Sequence, residues 1–118
     1  MTDYSKMSDF EVNKRVFKEL TGNNPLGYPH DADGRSVGNA SNGEYLWYDY
    51  CNNPADAWPI IHDSLISIIF DSDGYDTPQS AWCRATSPRG DEYYGDEKKP
   101  LRAAMIVFLM MKDAEIKN

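Results

Sequence analysis

Three carboxylates crowd into Asp71-Ser72-Asp73-Gly74-Tyr75-Asp76, and oxygen-rich clusters of this kind can hold calcium. The EF-hand spacing is absent, because that loop needs its glycine at position six and a glutamate at twelve, whereas here glycine comes fourth. A solvated hairpin turn is the ordinary reading, which leaves Asp71, Asp73 and Asp76 as weak metal candidates. Cys51 and His62 suggest a thiol–imidazole pair. The short helix expected between them holds their backbones well apart and nothing marks an oxyanion site, so structural roles are favoured. His30 with Asp31 and Asp33 offers ligand types, yet two histidines in the whole chain make no zinc site of usual spacing. The glycines between 22 and 43 do not follow a phosphate-loop pattern, and no Lys-Ser or Lys-Thr comes after them. Paired carboxylates could perform acid/base catalysis, but nothing selects a pair. No catalytic centre stands out, and no cofactor is expected.

The elements that would position these residues are readable from punctuation and period. Ser8 can cap a helix, Glu11 can complete a capping box and Gly22 can end it, with Phe10, Val12, Val16, Phe17 and Leu20 as the apolar stripe. Residues 22–43 are rich in Gly, Asn, Asp and Ser and read as a long loop, a length often associated with function. Glu44 to Tyr50 reads as a strand that alternates Leu46, Tyr48 and Tyr50 with Tyr45, Trp47 and Asp49. One aromatic set is therefore either exposed as a protein-binding surface or buried under the loop. Asn53 and Pro54 open a short helix over Ala55 to Ile61, Leu65 to Phe70 suits a buried strand, and Ser80 to Ala85 returns beside it. Trp58 in the short helix either fills a structural corner or, with Asp56, forms a preformed recognition surface. Pro100 starts the last helix, whose run from Ala103 to Met111 is apolar without a break. Such a helix either lies centrally across the sheet or joins a second copy as a homodimer. The expected class is α+β, a two-layer sandwich with a three-stranded antiparallel sheet and N-terminal, short central and C-terminal helices in one domain.

Charge placement is the most informative feature of composition. The net charge is −7, and from Ser36 to Cys83 no Lys or Arg occurs, while Glu44, Asp49, Asp56, Asp63, Asp71, Asp73 and Asp76 fall in that span. A field of one sign repels phosphate backbones and attracts basic protein surfaces, so direct nucleic-acid binding is not expected. The element order is similar to that of double-stranded-RNA-binding domains, but those depend on basic contacts. Two cysteines are too few for a disulfide framework, no secretory pattern opens the chain, and no apolar run nears the ~20 residues of a membrane span. A cytosolic protein is expected.

Tyr50-Cys51-Asn52-Asn53-Pro54-Ala55-Asp56-Ala57-Trp58-Pro59-Ile60-Ile61 and the block from Pro100 to Met111, together with the opening Ser8 to Lys14, resemble the NinX family of tailed bacteriophages and prophages. The resemblance spans nearly the full chain. It departs in Lys99, where the family pattern has a capping Asn, and in the loop from Asp31 to Asn42. The family is defined by sequence and carries no assigned biochemical activity. Its members resemble accessory genes beside phage recombination and regulatory functions, so the resemblance implies an accessory phage protein.

These readings converge on a protein that binds and inhibits or redirects a host protein with a basic surface, such as a defence nuclease, CRISPR effector or other DNA-handling complex. The partner-binding candidates are Glu44, Tyr45, Trp47, Asp49, Asp56, Trp58, Asp63, Asp71, Asp73 and Asp76. A small metal-dependent hydrolase using Asp71, Asp73 and Asp76 is the alternative from a different class, and a homo-oligomeric structural component is the third.

Overall fold

Ser8 opens the first helix as its neighbours dictate. Its hydroxyl accepts the Glu11 amide at 3.1 Å, and Gly22, at φ 76°, closes the helix with its amide on the Lys18 carbonyl. The computed structural model, which describes residues 3–41, 44–72, 81–96 and 98–117, gives this helix, α1, the span Asp9–Thr21. Val12, Val16 and Phe17 are buried as the stripe requires, whereas Leu20 is about half exposed.

The region expected as one long loop contains a strand. β1 (Val37–Ser41) pairs antiparallel with β2 (Glu44–Tyr48), with Val37 opposite Tyr48 and Gly38 opposite Trp47. β2 ends two residues earlier than expected, since Asp49 to Asn52 turn back toward α1 through the Asn53 amide on the Asp49 carbonyl. α2 (Pro54–Asp63) follows, with the Asn53 side chain accepting the Ala55 amide at 3.0 Å.

The second sheet has the order β3-β4-β5 and is antiparallel throughout, from β3 (Ser67–Ser72), β4 (Ala81–Thr86) and β5 (Tyr93–Asp96). The α+β class with its three-stranded antiparallel sheet is thus as expected, but the third strand is β5 and not the aromatic β2. Ile68, Ala85 and Tyr94 stand in register across this sheet and belong to its core-facing side.

α3 (Pro100–Lys117) packs on β4 and β5 and also on α1 and α2. Residues 102–109 are buried without interruption and Met110 and Met111 are half-buried, so most of the apolar run is covered inside the chain. α3 thus lies centrally, as one of the two expected arrangements has it. Arg102 is the polar exception in this buried run. It donates to Asp9 Oδ1 at 2.9 Å and to the Tyr4 and Met7 carbonyls, which ties the N-terminal turn Tyr4–Lys6 to α3. Lys99 adds a 2.8 Å contact to Asp9 Oδ2, so the residue that departs from the family pattern has an ion-pairing role here. Among the described residues no helix is long and apolar enough to cross a membrane.

Candidate functional site

α2 buries Ala57, Ile60 and Ile61 and turns Trp58, Pro59, His62 and Asp63 outward. Between the side of α2 that carries Asp56, Pro59 and Asp63, the end of α1, the end of β2 and the C-terminal half of α3 runs an open groove of about 610 Å³. Tyr48, Tyr50 and Phe108 supply its aromatic surface, and the Tyr48 and Tyr50 rings stack at 5.9 Å with only 3° between their planes. Glu19, Asp56 and Asp63 bring three carboxylates to it. The one cation among its lining residues is Lys112, which lies 5.5 Å from the Phe108 ring centre and 3.5 Å from Glu115 Oε2.

Two groups in the groove are incompletely satisfied. Tyr50 is only 5% exposed, yet its hydroxyl makes no hydrogen bond among the described residues. Burial, with Tyr48 and Asp56 adding to it, pushes its pKa well above the ordinary phenol value, so it remains neutral. Asp56 accepts the Asp49 amide through Oδ2 at 2.9 Å, and Oδ1 carries no hydrogen bond among the described residues. Pro59, inside α2, supplies no amide hydrogen for the Ala55 carbonyl one turn back, and both residues line the groove.

The remaining partner-binding candidates are distributed over the molecule. Asp49 is corrected from surface to interior. It is 7% exposed, and its carboxylate accepts from Asn13 Nδ2 (3.0 Å), Asn52 Nδ2 (3.0 Å) and Arg35 Nε (2.6 Å), donors that offset the cost of burying a polar group. Arg35 precedes the basic-free segment by one residue, and Asp49 in turn raises its pKa by hydrogen bond and charge. Tyr45 is 60% exposed and stacks on Trp47 at 6.5 Å, while Trp47 is half-buried against the His30 ring at 4.6 Å. The face of β2 carrying Tyr45 is therefore partly exposed and partly covered by the loop before β1. Glu44 and Asp71 are both exposed but stand on different sheets, and Asp71 Oδ1 accepts the Ser72 amide at 2.7 Å. Asp73 and Asp76 lie outside the described residues. Among the described residues no cluster of three or more His, Cys, Asp or Glu could hold a metal ion.

Trp58 is 62% exposed, so it does not fill a core corner, and of its two expected roles the solvent-facing one matches its position. Asp56 and Asp63 share its helix and line the groove, whose lining does not include Trp58. Sequence reasoning missed Glu19, which sits in α1 outside the acidic segment, and Asn13, a buried polar residue within the apolar stripe. Asn13 Nδ2 also donates to the Arg35 carbonyl at 2.9 Å, and its Oδ1 accepts the Cys51 amide at 3.1 Å. The imagined Cys51–His62 pair is not assembled: Cys51 is buried with its thiol pushed up to about 12 by burial, and exposed His62 contacts Asp63 at 3.2 Å.

No curated protein matches the sequence. Among solved structures, the fold is similar to the crystal structure of a phage protein from Bacillus cereus ATCC 14579, with a TM-score of 0.53 at 16% identity, covering 96% of this chain and 93% of that one. The sequence blocks around Asn53-Pro54 and Pro100 thus form the two helices that wall the groove, and the family model described as "Bacteriophage P22, NinX" matches residues 3–112, so the chain belongs to the phage NinX family.

Proposed function

We propose that this phage protein is an accessory factor that binds a host protein through a basic segment of that partner and so inhibits or redirects it, with a defence nuclease, CRISPR effector or other DNA-handling complex as the target class. The observation that carries this reading is the groove under α2, where Glu19, Asp56 and Asp63 face one lysine that already has a carboxylate neighbour. Exposed Trp58 on the same helix supplies a large apolar contact of the kind that anchors protein interfaces. Proteins that handle DNA display basic surfaces, and an acidic, aromatic protein face is complementary to these while repelling nucleic acid itself.

Affinity capture from host lysate with the full chain as bait tests this directly, at low and at near-physiological salt. The expected result is a basic host protein retained by the wild type and lost with an Asp56→Asn/Asp63→Asn double variant or with Trp58→Ala. Recovery of nothing at either salt, or equal recovery by all baits, would sink the reading. Addition of the protein to the purified target should then reduce or alter that target's activity.

A further inference from the structure

We propose that the groove between α2, β2 and α3 is an arginine pocket, which takes one guanidinium side chain from the partner's basic segment against the Tyr48 ring and the Tyr50 hydroxyl, with Asp56 as its ionic partner. This rests on the host-protein reading above and deepens it by naming the group recognised.

Tyr50 carries the argument furthest. A phenol so deeply buried ordinarily finds a hydrogen-bond partner, and the Tyr50 hydroxyl has none among the described residues. No fully buried side-chain nitrogen or oxygen lacks a partner among the described residues, so this hydroxyl must keep a window to solvent, and the space it lines is the groove. Asp56 Oδ2 is fixed by the Asp49 amide, which holds the carboxylate in one orientation and leaves Oδ1 for a ligand. Pro59 leaves the Ala55 carbonyl short of its usual helical donor in the same wall. The groove therefore offers acceptors in excess, over an aromatic surface, under negative charge from Glu19 and Asp63.

The chemistry that fits is a flat cation rich in donors. Guanidinium presents five N–H groups in a plane, stacks on aromatic faces and is weakly hydrated, so it satisfies carboxylate, carbonyl and phenol oxygens together. Its attraction to a tyrosine face adds to the ionic contact. An ammonium has three donors on a strongly hydrated point and gains less from the ring. An anion would meet three carboxylates, and an apolar group would leave the acceptors unpaired.

Titration of the full chain with N-acetyl-arginine methylamide, followed by amide proton–nitrogen NMR, tests the assignment. The neutral isostere N-acetyl-citrulline methylamide and the lysine analogue serve as controls. Saturable shifts are expected at Tyr48, Asp56, Ile60 and Asp63, with affinity at least fivefold above both controls. Asp56→Asn, which keeps an oxygen for the Asp49 amide, should weaken binding about tenfold, and Tyr50→Phe about threefold, with both variants retaining the wild-type pattern of dispersed resonances. Equal shifts from citrulline or lysine, shifts located elsewhere, or unchanged affinity in the two variants would overturn the pocket. Host-protein capture that survives Asp56→Asn and Tyr50→Phe also overturns the pocket while leaving the host-protein reading intact. Arginine binding with no host protein captured overturns that reading alone.

Discussion

Asn13 shows how one amide can join three segments that the sequence gives no reason to connect. It stands on the apolar side of α1 and is fully buried, where it bonds the Arg35 carbonyl, the Asp49 carboxylate and the Cys51 amide. Removing it leaves a buried carboxylate short of one donor and the Cys51 amide without its acceptor. Asn13→Ala should therefore cost about 2–4 kcal/mol in urea unfolding, at the upper end for a lost hydrogen-bond partner because one of the abandoned groups is charged. Asp33 acts on the same loop from the other side. Its carboxylate accepts the Arg35 and Ser36 amides, each at 2.9 Å, and the Ser36 hydroxyl. Partial burial raises its pKa, but these bonds and the Arg35 charge prevail and lower it from 3.8 to about 2. Ionised Asp33 thus adds stability that is complete above about pH 4 and is lost as pH falls through about 2. Asp33→Asn should flatten part of the decline in unfolding midpoint between those pH values, and an unchanged acid limb would refute the assignment. The sequence showed Asp33 only as a loop acid beside His30 and Asp31 with ligand-type chemistry, because its value lies in two amides held by a turn whose geometry is invisible in composition.

At the scale of elements, the helices were legible and two strands were not. Caps and apolar period fix α1 and α2, and Pro100 with the unbroken apolar run marks α3, since those signals are local. β1 reads Val-Gly-Asn-Ala-Ser, which carries little strand preference, and it is the pairing with aromatic β2 that makes it a strand. β5 is four residues long and lies among charged neighbours, so it too owes its state to its partner. Which strand pairs with which is a tertiary outcome, and this is why β2 was expected in the wrong sheet. Gly38 reports the hairpin's packing: a Cβ there would lie 2.5 Å from the Trp47 ring. Gly38→Ala should lower stability by about 1–3 kcal/mol through forced ring displacement, read as a fall in thermal midpoint. Leu65 after α2 gives the opposite prediction. It adopts φ 56°, a left-handed cap, with the Ile66 amide closing on the Ile61 carbonyl, and its side chain is largely exposed. Relief of that backbone strain exceeds the entropy cost of glycine, so Leu65→Gly should stabilise by roughly 0.5–1 kcal/mol.

For the whole molecule, the acidic segment was visible in the sequence, but its folding into several separate places was not. Asp49 is drawn inside by Arg35, Asp56 and Asp63 go to the groove, and Glu44 and Asp71 go to different sheets. The same dispersal governs cooperativity. α3 is the element on which α1, α2, β4 and β5 all pack, and its residues 103–109 have almost no exposed surface. The β1–β2 hairpin forms a separate two-stranded sheet, joined to the remainder by Val37, Tyr48 and the Asn13–Asp49–Arg35 polar bonds. A two-stranded ribbon is marginal without such support, so its opening should cost less than opening the helical core. Hydrogen exchange at neutral pH should find the amides of 103–109 protected to the free energy of global unfolding. Amides in β1 and β2 should exchange through a smaller opening, and Asn13→Ala should lower their protection further than that of the three-stranded sheet. Equal protection across both sheets in the wild type would mean that the hairpin is part of one indivisible core, and that the polar bonds to Asn13 are not what holds it.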